Sequence, residues 1–302
     1  MGGLPALGGR RTHRICARGP ARARGDTVGV GKGRRMMTAV WRTTGRSLLN
    51  ALLTFVIVIA LWWAVVNLTG ISPYVAKGPL DVWNYLFVEA EAAANRAELA
   101  PLLAQTLQDA AIGFVVGMLV AVVFALAFSL SRAVEAGVMP LALLLRSVPL
   151  VAIAPVIILI TGRGTVASVA VIGSIVVLFP ALASIMFGLS RASKESLDLV
   201  HVYGGGRATQ LHKVNVPGAL PSLFAAARVS VPGAVTGALL AEWLSTGQGI
   251  GGMIVKFTAS ARFDELWASV ALITIITLLL YNIVQVVENI VLARMGMTTA
   301  QR

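Results

Sequence analysis

Between Leu107 and Leu130 only Asp109 can ionise, and almost every other side chain is apolar. Five further runs resemble it: about Leu48 to Leu68, Val138 to Ile160, Val166 to Gly188, Leu223 to Trp243 and Trp267 to Leu292. Roughly twenty mainly apolar residues are enough to cross the hydrocarbon core of a bilayer as a helix. In lipid every backbone polar group must be satisfied internally, which leaves helices as the spanning form for runs of this length. The expected fold is therefore an all-α membrane protein with about six transmembrane helices. Composition agrees: 57% of residues are hydrophobic and 13% charged, against about 25% charged in soluble domains. The run from Val138 to Ile160 contains Pro140, Pro149 and Pro155. Neighbouring helices re-satisfy backbone groups that proline frees, so this span is expected inside a bundle.

The stretch from about 190 to 220 breaks the apolar pattern. It holds Arg191, Lys194, Arg207, Lys213, Glu195, Asp198, His201 and His212, with Gly204-Gly205-Gly206 in the middle and Pro217-Gly218 near its end. A loop of about thirty residues inside a compact domain usually has structure or function of its own. Lys194 to Tyr203 reads as a short helix with Leu197 and Val200, and Leu199 or Tyr203, on its apolar side. The glycines end it. A second short helix is expected from Arg207 to Val214, with Pro217 opening the next span. A helix, a glycine corner and a helix suit docking into another protein's groove.

Lys and Arg accumulate on the cytoplasmic side of membrane proteins. With the N-terminus inside, six spans place eighteen of them in inner segments and five in outer ones. Both termini and the polar loop are then cytoplasmic. The net charge of +12 is concentrated in the first 35 residues, a Gly/Arg/Ala-rich tail without apolar periodicity. Residues 1–47 are expected to form a disordered basic tail, 48–294 the membrane domain and 295–302 a cytoplasmic end. For the tail two readings stand: an extension upstream of a true start at Met36 or Met37, or a polybasic segment resting on anionic lipid. No aromatic residues interleave its arginines, so nucleic acid is not an expected partner. It does not read as a secretory signal, because its charged part is too long and the following run can span.

Catalytic and metal-binding patterns are missing. Cys16 is the single cysteine, and His201 and His212 are not spaced as a helical pair, so no disulfide framework, metal site or other cofactor is expected. Gly29-Val30-Gly31-Lys32-Gly33 fails as a phosphate loop: Asp26 stands where the first glycine belongs and Gly33 where Ser or Thr would hold magnesium. No Gly-x-Ser-x-Gly elbow and no paired carboxylates in a polar pocket are apparent. The chain is therefore not expected to be an enzyme. Ionisable residues in spans are functional candidates by default. Arg146, Arg228, Glu242, Glu288 and Asp109 all fall towards span ends, which leaves helix-end placement, interhelical pairing or a pathway role open. Arg146 and Glu242 are the candidates for a pathway or gate. Gly113/Gly117 and Gly233/Gly237 are spaced for close helix approach, either within the chain or at a dimer seam.

Asp198-Leu199-Val200-His201-Val202-Tyr203-Gly204, followed by Val214-Asn215-Val216-Pro217, resembles the cytoplasmic loop of binding-protein-dependent ABC transporter permeases. The family pattern there is Glu-Ala-Ala, three residues, Gly, about nine residues and Ile-x-Leu-Pro. Asp198 stands for the Glu, Leu199 and Val200 for the alanines, and Gly204 matches. Arg146-Ser147-Val148-Pro149-Leu150 and Ala241-Glu242-Trp243-Leu244 with Gly249-x-Gly251 resemble the sulfonate, nitrate, taurine and thiamine-precursor branch. The resemblance covers about residues 48–294.

It implies a type I importer permease that forms the translocation pathway for a small polar solute. Two copies would pair, and each would dock its loop helix into one of two ATPase subunits. An extracytoplasmic solute-binding protein would deliver substrate. Asp198, Leu199, Val200, Tyr203, Gly204 and Pro217 would form the coupling loop. A secondary carrier is the main alternative, although inverted repeats with matching broken helices are not evident. A membrane enzyme or channel would need catalytic constellations or pore-lining charge rings.

Overall fold

The computed structural model describes residues 53 and 55–295, apart from the side chains at 132, 141–143 and 145–146. The tail expected over 1–47 and residues 296–302 lie outside the described residues. The chain divides into two compact units, Met1–Ala60 and Leu61–Arg302. The described part of the first unit is helical and mostly exposed. It begins helix α1 (Phe55–Leu68).

The remaining helices belong to the second unit. They are α2 (Pro79–Trp83), α3 (Ala92–Leu130), α4 (Arg132–Ser147), α5 (Leu150–Thr161), α6 (Val166–Leu189), α7 (Lys194–Val202), α8 (Arg207–Gln210), α9 (Val216–Ala241), α10 (Gly249–Ala259) and α11 (Phe263–Arg294). Among the described residues four helical stretches are long and apolar enough to cross a membrane: Ala92–Leu130, Val166–Leu189, Arg207–Thr246 and Phe263–Arg294. Phe55–Leu68, Leu150–Thr161 and Gly249–Ala259 are shorter apolar helices. This is the all-α membrane architecture expected from the apolar runs.

Helix α6 is the central element, packed against α3 on one side and α9 on the other. Small residues set these contacts. A methyl group on Gly113 would lie 2.9 Å from the Gly173 Cα, and one on Gly237 would lie the same distance from that atom. One on Gly117 would lie 2.7 Å from Val177 Cβ. Both glycine pairs therefore serve packing inside the chain, where close backbone approach replaces a hydrophobic drive that lipid cannot supply. Ala121, Ala125, Phe128, Leu182, Ile185 and Leu211 join a core cluster that carries this packing into the 190–220 segment.

Three expectations change. The span placed at Val138–Ile160 is two helices, α4 and α5. Proline disfavours helical geometry in the residue before it, and Val148 is extended at φ −82°, ψ 127° just before Pro149 caps α5. The span placed at Leu107 starts earlier, at Ala92, so Asp109 lies well inside α3 rather than at its end. Pro217 does not open a span, because helix is continuous from Arg207 to Thr246. The proline is absorbed by a π-helical turn at Leu211–Asn215, where the Val216 N–H reaches back five residues to the Leu211 carbonyl. A widened turn relieves the clash a proline ring makes with the carbonyl four residues earlier.

The end opposite the 190–220 segment is tied by polar contacts. Arg262 pairs with Glu98 at 2.9 Å and Glu265 at 2.8 Å, and Lys77 with Asp264 at 3.0 Å. The Trp267 indole N–H donates to the Val75 carbonyl at 2.8 Å, and the Tyr74 hydroxyl to Ala261 at 3.2 Å. Hydrogen bonding to Glu265 first, and to Glu98 as well, raises the Arg262 pKa.

Candidate functional site

Two glycine corners hold the residues singled out by sequence. The first follows α7. Ser193 caps the helix by accepting from the Ser196 N–H at 3.2 Å. At the other end Gly204 has φ +80°, the left-handed conformation that glycine adopts without penalty. The Gly204 N–H donates to His201 O and the Gly205 N–H to Val200 O, both at 2.9 Å. This paired closure satisfies helix-end carbonyls. The Gln210 amide donates to Leu197 O at 3.2 Å and the Asn215 amide to Leu189 O at 2.8 Å. The corner is thus fastened both to α8 and to the end of α6.

On α7, Leu197 and Val200 are half-buried and turn toward the chain. Leu199, Val202 and Tyr203 are 58%, 82% and 83% exposed. Asp198 is exposed beside them. The helix thus has two apolar faces, one used internally and one uncovered. The Arg191 guanidinium lies over the Phe187 ring at 4.5 Å. Pro217 stands in the first turn of α9.

The second corner joins α9 to α10. A π-helical turn at Glu242–Thr246 ends at Gly247, φ +65°, and Gly249 has φ +64°. Glu242 is fully buried. Its Oε2 accepts from the Gly251 N–H at 2.7 Å and from the Thr106 hydroxyl at 3.0 Å. Thr106 in turn accepts from the Ile250 N–H at 2.9 Å. A methyl on Gly249 would overlap the Glu242 carboxylate, and one on Gly251 would overlap the Leu239 carbonyl. Ser245 bonds Ser168 at 2.8 Å and accepts from the Gly164 N–H at 3.0 Å, tying the same turn to α6. Asp109 shares with Thr106 the stretch of α3 that meets Glu242, a juxtaposition that sequence reasoning missed. The two acids are far apart in the chain, and they come together where α3 packs against α9 and Thr106 reaches Glu242. The available signal was that each of these two apolar runs carries a single acid.

Beside this corner is an apolar cleft of about 560 Å³ lined by Thr236, Leu239, Leu240, Trp243, Ile254, Val255 and Thr258, among others. Arg146 belongs to α4, but its side chain lies outside the described residues. Arg228 pairs with Glu288 at 3.1 Å across α9 and α11, so the interhelical-pairing reading holds for that residue. Among the described residues no group of three or more His, Cys, Asp or Glu is placed to hold a metal.

The described residues thus form a bundle of apolar helices with a separate polar corner that is uncovered on one apolar face. Residues 113–297 match the family described as the binding-protein-dependent transport system inner membrane component. The chain belongs to that family, and it is a multi-pass inner-membrane permease of the ABC type. It is 29% identical over 234 residues to a probable ABC transporter permease protein of Haemophilus influenzae, covering 78% of this chain and 93% of the relative. It is 30% identical over 239 residues to a riboflavin transport system permease protein of Chloroflexus aurantiacus, covering 78% and 87%. It is 24% identical over 244 residues to a formylaminopyrimidine transport permease protein of Halalkalibacterium halodurans, covering 81% and 95%. Relatives named for aliphatic sulfonates and taurine match too, as the resemblance around Glu242 and Gly249 implied. The match does not favour a secondary carrier.

Proposed function

We propose that this chain forms the pathway of an ATP-driven importer for a small polar solute of the sulfonate, nitrate, taurine or thiamine-precursor kind, and that α7 is its coupling helix. The observation that carries the reading is the uncovered apolar face Leu199, Val202 and Tyr203 on a helix whose angle is set by the Gly204–Gly205 closure. An apolar helical face of that kind fits a groove on a partner. ATP hydrolysis belongs to that partner, a separate ATPase subunit present in two copies. A solute-binding protein delivers substrate at the opposite face. Both chain ends and α7 are cytoplasmic, two copies of this chain line the pathway, and Arg146 and Glu242 act at or near it.

Co-purification tests this directly. The chain expressed with its cognate ATPase should be recovered as a complex with two copies of each subunit. Substituting Leu199→Ser with Tyr203→Ser should abolish that recovery while the chain still inserts. A complex that survives the double substitution would remove α7 as the docking element. A native mass with one copy of this chain and a different permease would replace the homodimer.

A further inference from the structure

Glu242 and Asp109 present an accounting problem. Glu242 is fully buried and Asp109 is 5% exposed. Gln105 donates to Asp109 Oδ1 at 3.1 Å, and Thr106 and Gly251 donate to Glu242 Oε2. The other oxygen of each, Asp109 Oδ2 and Glu242 Oε1, has no donor among the described residues. Asp109 stands one helical turn beyond Thr106 on α3, on the same face that meets Glu242 through the Thr106 hydroxyl. Buried acceptors without donors are costly, and two adjacent carboxylates deprived of water cannot both remain ionised without a cation.

No cation reaches them among the described residues. Helix α10 has one ionisable side chain, Lys256, whose ammonium donates to the Gly247 carbonyl at 3.1 Å. On α9 Arg228 is engaged with Glu288 of α11. The other ionisable groups of α11 are Asp264 and Glu265, committed to Lys77 and Arg262, then Tyr281 under Arg228 and Arg294. Helices α5 and α6 carry none. Arg163, in the corner between them, is exposed. Among the described residues no third acid, His or Cys joins the two in a group that could hold a metal ion.

We propose that Asp109 and Glu242 form a proton-binding site, sharing one proton through their two unpartnered oxygens and thereby latching the α9–α10 corner to α3. The proton supplies the missing donor to one oxygen and removes one of the two negative charges. With it in place, Glu242 holds the Gly251 and Thr106 donors, and Thr106 holds the Ile250 N–H, so α10 is fixed on α3. Without it, two like charges face each other at the same contact, and α10 is pushed from α3. The latch goes beyond the transport reading and does not need it.

Infrared spectroscopy of the purified chain in lipid nanodiscs, without the ATPase, tests the site separately from transport. The native protein near neutral pH should show a carboxylic-acid carbonyl band in ordinary water that persists in the dry interior. The band should move on carbon-13 labelling of glutamate or of aspartate. It should vanish in Glu242→Gln combined with Asp109→Asn, since no acid then remains at the site. Absence of the band from the native protein overturns the proposal, as does a band unchanged in the double variant. The native measurement stands alone if that variant is not recovered. Failure of α7 to bind an ATPase would overturn the transport reading and leave this result intact.

Discussion

The chain turns two sharp corners with glycine, and they are built in opposite ways. At Gly204 there is nothing within 4 Å of where a side chain would begin. The residue is glycine for its backbone angle alone. At Gly249 both conditions apply: the angle is left-handed and the space is filled by Glu242. The first corner is open on one side, with Leu199, Val202 and Tyr203 uncovered. The second is closed, with an acid, a threonine and two backbone N–H groups sealed inside. An open corner can transmit force to or from a partner without disturbing the bundle. A closed one holds the bundle's own geometry.

Substitutions can break or sharpen this contrast, and the expected cost to folding falls from the closed corner to the open one. Gly249→Val combines overpacking with backbone strain and should cost about 3 kcal/mol or more. The thermal midpoint of the purified chain should fall, and an unchanged midpoint would mean the second corner is not closed. Glu242→Ala should cost about 1–3 kcal/mol, because it leaves the buried Gly251 N–H without its acceptor. Glu242→Gln, which keeps an acceptor, should cost less in the same measurement, and equal losses would deny the hydrogen bond its role.

At the open corner, Gly204→Val should cost about 1–2 kcal/mol from the backbone angle alone. Swinging α7 relieves that strain, so ATP hydrolysis should continue while transport in reconstituted membranes falls. The added change Gly205→Val is harsher: its side chain would begin 2.5 Å from Val200 Cγ1. Wild-type coupling in that double variant would sink the corner as a transmitter. Smallest of all for folding is Leu199→Ser with Tyr203→Ser, within about 0.5 kcal/mol as for other exposed sites. Its effect should appear in ATPase binding instead. A large drop in thermal midpoint would show that the face is structural.

Legibility followed sequence distance. The α7 corner could be read because its determinants are local: a serine cap, a nine-residue helix and a glycine that closes it. The closed corner could be read only in part. Glu242 with Gly249-x-Gly251 stood out, but its partners Thr106 and Asp109 come from a different helix. The short helices α5 and α10 were also beyond reach of apolar run length, since an apolar stretch reads the same whether it spans or turns back. Pro217 misled for a related reason: its penalty was absorbed by a π-helical turn that no residue pattern announced.

The sequence by itself determined that the chain is a helical membrane protein, where most of its long helices run, and which segment interrupts them with a short, glycine-ended helix. Hydrophobic length and backbone hydrogen bonding settle these points locally, because lipid leaves few ways to satisfy a peptide group. Only the tertiary structure decided that Gly113 and Gly237 meet at Gly173 within one chain, that the span at Val138–Ile160 divides at Val148, and that α3 brings Thr106 to Glu242. Those outcomes depend on which surfaces of separate helices come into register. Small residues make the close approaches possible, but only packing selects which of them occur.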